Sequence, residues 1–98
     1  MDTDAIFKAL ANPVRRDILG WLRDPHAFFA RQALPLDHGV CAGEIEARCQ
    51  LSQSTVSAHL SALLRAQLVT SKRIGQWVFF KRNEPVIAAF LAQLKTCL

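Results

Sequence analysis

Residues Val40–Arg82 read VCAGEIEARCQLSQSTVSAHLSALLRAQLVTSKRIGQWVFFKR, and this stretch constrains the fold more than any other. Val56, Leu60, Leu63 and Leu64 recur at spacings of three and four, which puts one apolar stripe on a helix. Ser52 stands where an N-cap is needed, and Gln50-Leu51-Ser52 makes a tight turn after a helix over Val40–Cys49. Leu51 is expected to plug the core from that turn. Two β-rich runs, Leu68–Ile74 and Trp77–Lys81, then flank Gly75-Gln76, a hairpin signal. Helix, tight turn, helix and hairpin in that order predict a winged helix–turn–helix.

The rest of the chain supplies the frame. Ile6, Phe7 and Leu10 stripe a helix over Asp2–Ala11. Asn12-Pro13 offers an N-cap and a first-turn proline to a second helix, with Val14, Ile18, Leu19, Trp21 and Leu22 inward and its end at Asp24-Pro25. Asp24–Gly39 follows neither period. Phe28, Phe29, Leu34 and Leu36 predict a loop that packs down, with a helical turn at Ala27–Gln32. Pro85 opens a last helix with apolar Val86, Ile87, Phe90, Leu91, Leu94 and Leu98. The expected class is therefore mostly α with a small β-hairpin wing, ordered α-α-α-α-β-β-α, in a single domain over residues 1–98. With 51% hydrophobic residues in 98, the terminal helices carry more apolar surface than one copy needs. A homodimer through those helices is expected.

The chemistry sits on the second helix of the reader and on the hairpin. Gln53, Ser54, Thr55, Ser57, His59 and Ser61 lie off the apolar stripe and exchange hydrogen bonds with base edges or phosphates when such a helix enters a major groove. A solvent-facing helix would favour better helix formers than this Ser/Thr cluster. Lys72, Arg73 and Gln76 near the hairpin tip, with Lys81 and Arg82 at its end, suit phosphate or minor-groove contact. Trp77, Phe79 and Phe80 are expected to pack the wing onto the core. The net charge of +4 also favours a polyanionic partner. Arg15 and Arg16 are expected either at phosphate or, for one of them, paired with Asp17 or Asp24.

LANPVRRDIL (10–19) and LSQSTVSAHLSALLRAQLV (51–69), with the spacing to the Gly75 wing, resemble the ArsR family of bacterial repressors. The resemblance spans about residues 3–97. It implies a homodimeric winged-helix repressor that leaves DNA when an effector arrives, and two-fold symmetry then demands a palindromic double-stranded DNA operator. On that resemblance Gln53, Ser54, Thr55, Ser57 and His59 inherit the DNA-contact role.

The departures bear on the effector. Family members that sense thiophilic metals use paired cysteines before the turn, whereas this chain has Cys41 behind Gly39 and Val40. One thiolate does not supply the three or four ligands an As(III), Cd or Zn site needs. The Asp/His zinc site of other members, on the C-terminal helix, is absent because residues 84–98 hold neither. His26, His38 and Cys41 are the one ligand set near the loop, more simply read as surface histidines and a small buried thiol. No metal and no cofactor is expected, and the effector stays unassigned. The 16-residue loop Asp24–Gly39, with DPHAFF and HGVC, resembles a subgroup whose effector the resemblance does not give.

Two alternatives stay open: a thiol-based redox repressor in which Cys41, at a helix N-terminus, has a lowered pKa, and a winged-helix module for protein–protein contact. A polar, neutral recognition face beside a cationic hairpin favours DNA over the latter. An enzyme is not expected, since no phosphate loop, paired-carboxylate motif or nucleophile elbow occurs. No run of about 20 apolar residues predicts a membrane span. The acidic N-terminus lacks a basic leader, so a cytoplasmic chain is expected, with Cys41, Cys49 and Cys97 reduced.

Overall fold

The computed structural model describes residues 1–98. Its elements are α1 (Thr3–Leu10), α2 (Pro13–Arg23), a four-residue α3 (Pro25–Phe28), a 3₁₀ turn (Leu36–His38), β1 (Val40–Cys41), α4 (Ala42–Cys49), α5 (Gln53–Arg65), β2 (Val69–Ile74), β3 (Trp77–Arg82) and α6 (Glu84–Cys97). No helix is long and apolar enough to cross a membrane.

The helix starts follow local chemistry. The Asn12 side chain accepts hydrogen bonds from the Val14 and Arg15 N–H groups, and Pro13 occupies the first turn of α2. Ser52 caps α5 by accepting from the Thr55 N–H. Gln50, at φ 57° in the left-handed region, ends α4 and sets up the turn. The end of α5 is a Schellman turn. Gln67 takes the left-handed position (φ 61°) usually given to glycine, Leu68 N–H donates to the Leu63 carbonyl and Gln67 N–H to that of Leu64. Leu63 and Leu68 are both buried there, which sends the chain directly into β2.

Three expectations about the elements change. The wing is a three-stranded antiparallel sheet, ordered β1-β3-β2, instead of a lone hairpin. Val40 and Cys41, expected within the helix before the turn, pair with Phe80 and Phe79. Edge pairing to β3 holds the two residues extended, the Cys41 N–H donates outward to the Gln32 side chain, and the helix starts at Ala42. The helical turn in the loop lies at Pro25–Phe28, ahead of the expected Ala27–Gln32, because Pro25 serves as a first helical residue.

Sixteen buried side chains form one core, among them Ile6, Ile18, Ile45, Val56, Leu63 and Phe80. Each such aliphatic or aromatic side chain contributes roughly 1.5–3 kcal/mol by leaving water. Phe79 and Phe80 are adjacent yet both buried. Alternation on β3 sends Phe80 to the core and Phe79 to the opposite face, where the His38 ring of the loop lies tilted against it, ring centres 5.4 Å apart. So the wing is clamped from both sides, while Trp77, expected to pack it down, stays 46% exposed at its tip. Leu51 is 41% exposed and does not plug the core. The left-handed Gln50 turns the chain outward there.

Arg15 and Arg16 pair with neither Asp17 nor Asp24. Arg15 donates to the carbonyls of Ala9 and Lys8, and Arg16 to that of Leu10. Both close the C-terminal end of α1, whose last carbonyls lack partners and carry partial negative charge.

Candidate nucleic-acid interface

At about 100° per residue, α5 divides into three sectors. Val56, Leu60 and Leu63 are buried. Ser54, Ala58 and Arg65 stand opposite, and Ser57 and Ser61 fall between these and the core on one side. Thr55 and His59 lie on the other flank. Gln53, Ser54, Thr55 and Ser57 are exposed, and Ser61 is half-buried.

The N-terminal end of α5 is ordered by its own hydroxyls. The Ser52 Oγ lies 2.8 Å from Thr55 Oγ1 and 3.3 Å from Ser54 Oγ, besides accepting the Thr55 N–H. The N–H groups of Gln53 and Ser54 have no intrahelical acceptor, as in any first turn. This end offers an acidic group both donors and a positive dipole terminus.

His59 departs from the sequence expectation. It is half-buried, and its Nδ1 is closed off from solvent without a hydrogen-bond partner. Burial, and then the neighbouring Arg15 guanidinium, push its pKa down. A proton on Nδ1 would meet no acceptor and would face a like charge. The unfolded chain has neither penalty, so it binds this proton more readily. Stability is therefore level above the ordinary histidine value near 6.5 and falls as pH drops through it. The melting temperature is expected to fall between pH 7.5 and 5.5, and to fall less in His59→Gln. Equal pH dependence in the two chains would refute the half-buried, uncharged imidazole.

The β2–β3 hairpin carries the cations. Gly75, at φ +59°, leads a two-residue turn with Gln76, the positive-φ first position that type II′ turns give to glycine. Lys72, Arg73 and Gln76 are all exposed, and the Arg73 Nε donates to the Gly75 carbonyl. Arg82, by contrast, is tied to the Glu84 carboxylate at 2.6 Å and turned from the tip. Because Leu68 follows the Schellman turn without a spacer, β2 packs against α5 and hairpin and helix form one unit.

Cys41 corrects the redox reading. The residue is 6% exposed, and burial, with Glu44 adding repulsion, pushes the thiol pKa up instead of down. The Cys49 thiol is also raised, by burial and then by Asp17. Cys97 is exposed. A thiolate is the reactive form, so a disulfide reagent at neutral pH is expected to label Cys97 first and Cys41 slowest. Mass mapping of the labelled peptides checks this order, and rapid labelling of Cys41 would reverse it. No three His, Cys, Asp or Glu side chains converge anywhere in the fold.

One structural residue escaped sequence reasoning. Arg48 reads as a surface cation of α4, yet its guanidinium lies 4.7 Å from the Phe28 ring centre and 5.3 Å from that of Trp21. Only aromatic clustering at Trp21, Phe28 and Phe29 hints at such a contact in the sequence.

Residues 39–71 match the family model described as bacterial regulatory protein, arsR family. Over 98 residues the chain is 39% identical to the HTH-type transcriptional regulator YbzH of Bacillus subtilis, covering 98% of each. It is similar in structure to HlyU from Vibrio cholerae, with 31% identity and a TM-score of 0.63 over 95% of this chain and 88% of that one. A solution structure of the homodimeric winged helix–turn–helix DNA-binding domain of Mb0332 from Mycobacterium bovis gives 26% identity and a TM-score of 0.67, covering 95% and 76%. With the capped α5, the sheet wing and 39% identity along its whole length, this chain belongs to the ArsR family of winged helix–turn–helix transcriptional regulators.

Proposed function

We propose that the protein is a repressor that binds a palindromic double-stranded operator as a homodimer through α5 and the wing. The observation that carries this reading is the outward, hydroxyl-rich side of α5 fused to a hairpin with unpaired Lys72. In this reading Gln53, Ser54, Ser57 and Ser61 face the major groove, and the first turn of α5, with Thr55, receives a phosphate. Lys72, Arg73 and Gln76 reach the flanking backbone. His59 contributes by holding the flank of α5 against α2 more than by free base contact. Repression follows if the operator overlaps a promoter.

Two-fold symmetry is supported by the terminal helices. Phe7 on α1 is 49% exposed, Leu91 on α6 is 58% exposed and Leu98, just after α6, is 98% exposed. By helical angle Ile87, Leu91, Leu94 and Leu98 continue the stripe that Phe90 anchors. That stripe is wider than one chain covers. A copy related by a two-fold axis would bury the same residues from both sides. Mb0332 is described as homodimeric, and this chain is similar to it.

Footprinting on its own promoter region is expected to protect an inverted repeat with half-sites about one helical turn apart. Ser57→Ala is expected to lose about 1–3 kcal/mol at one base position, and Lys72→Ala to weaken all sequences alike and reduce the salt dependence. No protected repeat, or unchanged affinity in both variants, would overturn the assignment.

A further inference from the structure

The residues from Asp24 to Gly39 are more than a bare connection needs. They are built into the fold instead of trailing over it. Phe29 is 4% exposed. Gln32 staples the far end, its Nε2 donating to the carbonyls of Leu34 (3.0 Å) and Gly39 (3.1 Å) and its Oε1 accepting the Cys41 N–H at 2.8 Å. The near end is tied to α4 through Arg48, and a cleft of about 450 Å³ lies between Ala27–Arg31 and the Glu44–Arg48 side of that helix. Clefts of about 300–1,000 Å³ hold small molecules.

The lining has a definite chemistry. Phe28, Phe29 and three alanines give an apolar wall. Arg48 is exposed, its guanidinium lies 4.7 Å from the Phe28 ring centre, and it donates one N–H to the Phe28 carbonyl at 3.2 Å. Its other donors have no protein acceptor. Arg31 is exposed and makes no ion pair. Glu44 is the one carboxylate at the cleft, so two guanidinium groups outweigh it. Guanidinium donors match a carboxylate in geometry and charge, and the wall beside them matches a ring.

We infer that the cleft between the Ala27–Arg31 segment and α4 is a binding site for a small aromatic carboxylate, held by Arg31 and Arg48 with its ring against Phe28. α4 is the helix before the turn and packs on α5. A ligand pulling on Arg48 therefore bears on the reading helix, and this regulatory consequence rests on the DNA reading proposed above.

The test uses the full chain with Trp77→Phe, which leaves Trp21 as the one indole, beside Arg48. Benzoate, benzyl alcohol and benzylamine are titrated at constant ionic strength, followed by Trp21 emission and by calorimetry. Benzoate is expected to saturate, with benzyl alcohol about ten-fold weaker and benzylamine weaker still. Arg31→Gln is expected to weaken benzoate about ten-fold and leave benzyl alcohol, the circular dichroism spectrum and the melting temperature unchanged. No saturable benzoate binding by either readout, equal binding of benzoate and benzyl alcohol, or undiminished binding in Arg31→Gln would overturn the site. Operator affinity is measured separately with and without saturating benzoate. Benzoate binding with unaltered operator affinity would overturn the regulatory consequence, whereas failure to bind DNA without benzoate would overturn the proposed function and leave the titration decisive for the site.

Discussion

Gly39→Ala is expected to destabilise the fold by about 3 kcal/mol or more and to lower its melting temperature by roughly 15 °C. Gly39 has φ +112°, a region that only glycine enters without strain. A Cβ there would lie 2.6 Å from the Phe80 carbonyl oxygen and 3.0 Å from its carbon. Both are backbone atoms of the central strand and cannot step aside. The displacement would spread, since the Gly39 N–H donates to the Leu36 carbonyl and its own carbonyl accepts from Gln32. Loop, β1 and wing would loosen together. Gly20→Ala is the matched control. It sits within α2 with nothing within 4 Å of the added Cβ, and is expected to gain about 0.5–1 kcal/mol. Denaturant melts at one protein concentration compare the two. A loss below about 1 kcal/mol at Gly39 would show that β3 yields more than its pairing implies.

Leu91→Glu is expected to convert the proposed dimer to a monomer and to weaken operator binding by about 10²–10⁴-fold. The magnitude comes from linkage. Two recognition helices on one body bind the second half-site as an intramolecular step, and separated chains lose that advantage. Leu91 suits the purpose because it is 58% exposed while Phe90 beside it carries the contact with the core, meeting Phe7 edge-on at 5.3 Å. The monomer fold should survive, with an unchanged circular dichroism spectrum. Sedimentation and operator titration read the two effects. A variant that stays dimeric would place the two-fold axis elsewhere, and a monomer with full operator affinity would remove the need for symmetry.

The stripes, caps and turns of this protein were legible in its residues. Val56, Leu60 and Leu63 mark the buried side of α5, Asn12 and Ser52 cap where their side chains allow, and Gly75-Gln76 turns the hairpin. Each of these depends on neighbours within about four positions, so periodicity and side-chain chemistry suffice to read them. Of the exposed polar members of the candidate interface, Gln53, Ser54, Thr55 and Ser57 follow from the α5 stripe, and Lys72, Arg73 and Gln76 from the hairpin turn.

Only the tertiary structure decided the rest, because it depends on partners far along the chain. Val40 is a strand residue since Phe80, forty positions on, supplies its pairing edge. Phe79 is buried because the loop returns to lay His38 on it. His59 is half-buried and meets a like charge because the fold brings Arg15 of α2 near α5. Cys41, at a helix start that favours a thiolate, is instead buried by the strand it belongs to, and desolvation outweighs the helix end. Burial sums over everything that packs around a group, which local sequence does not specify.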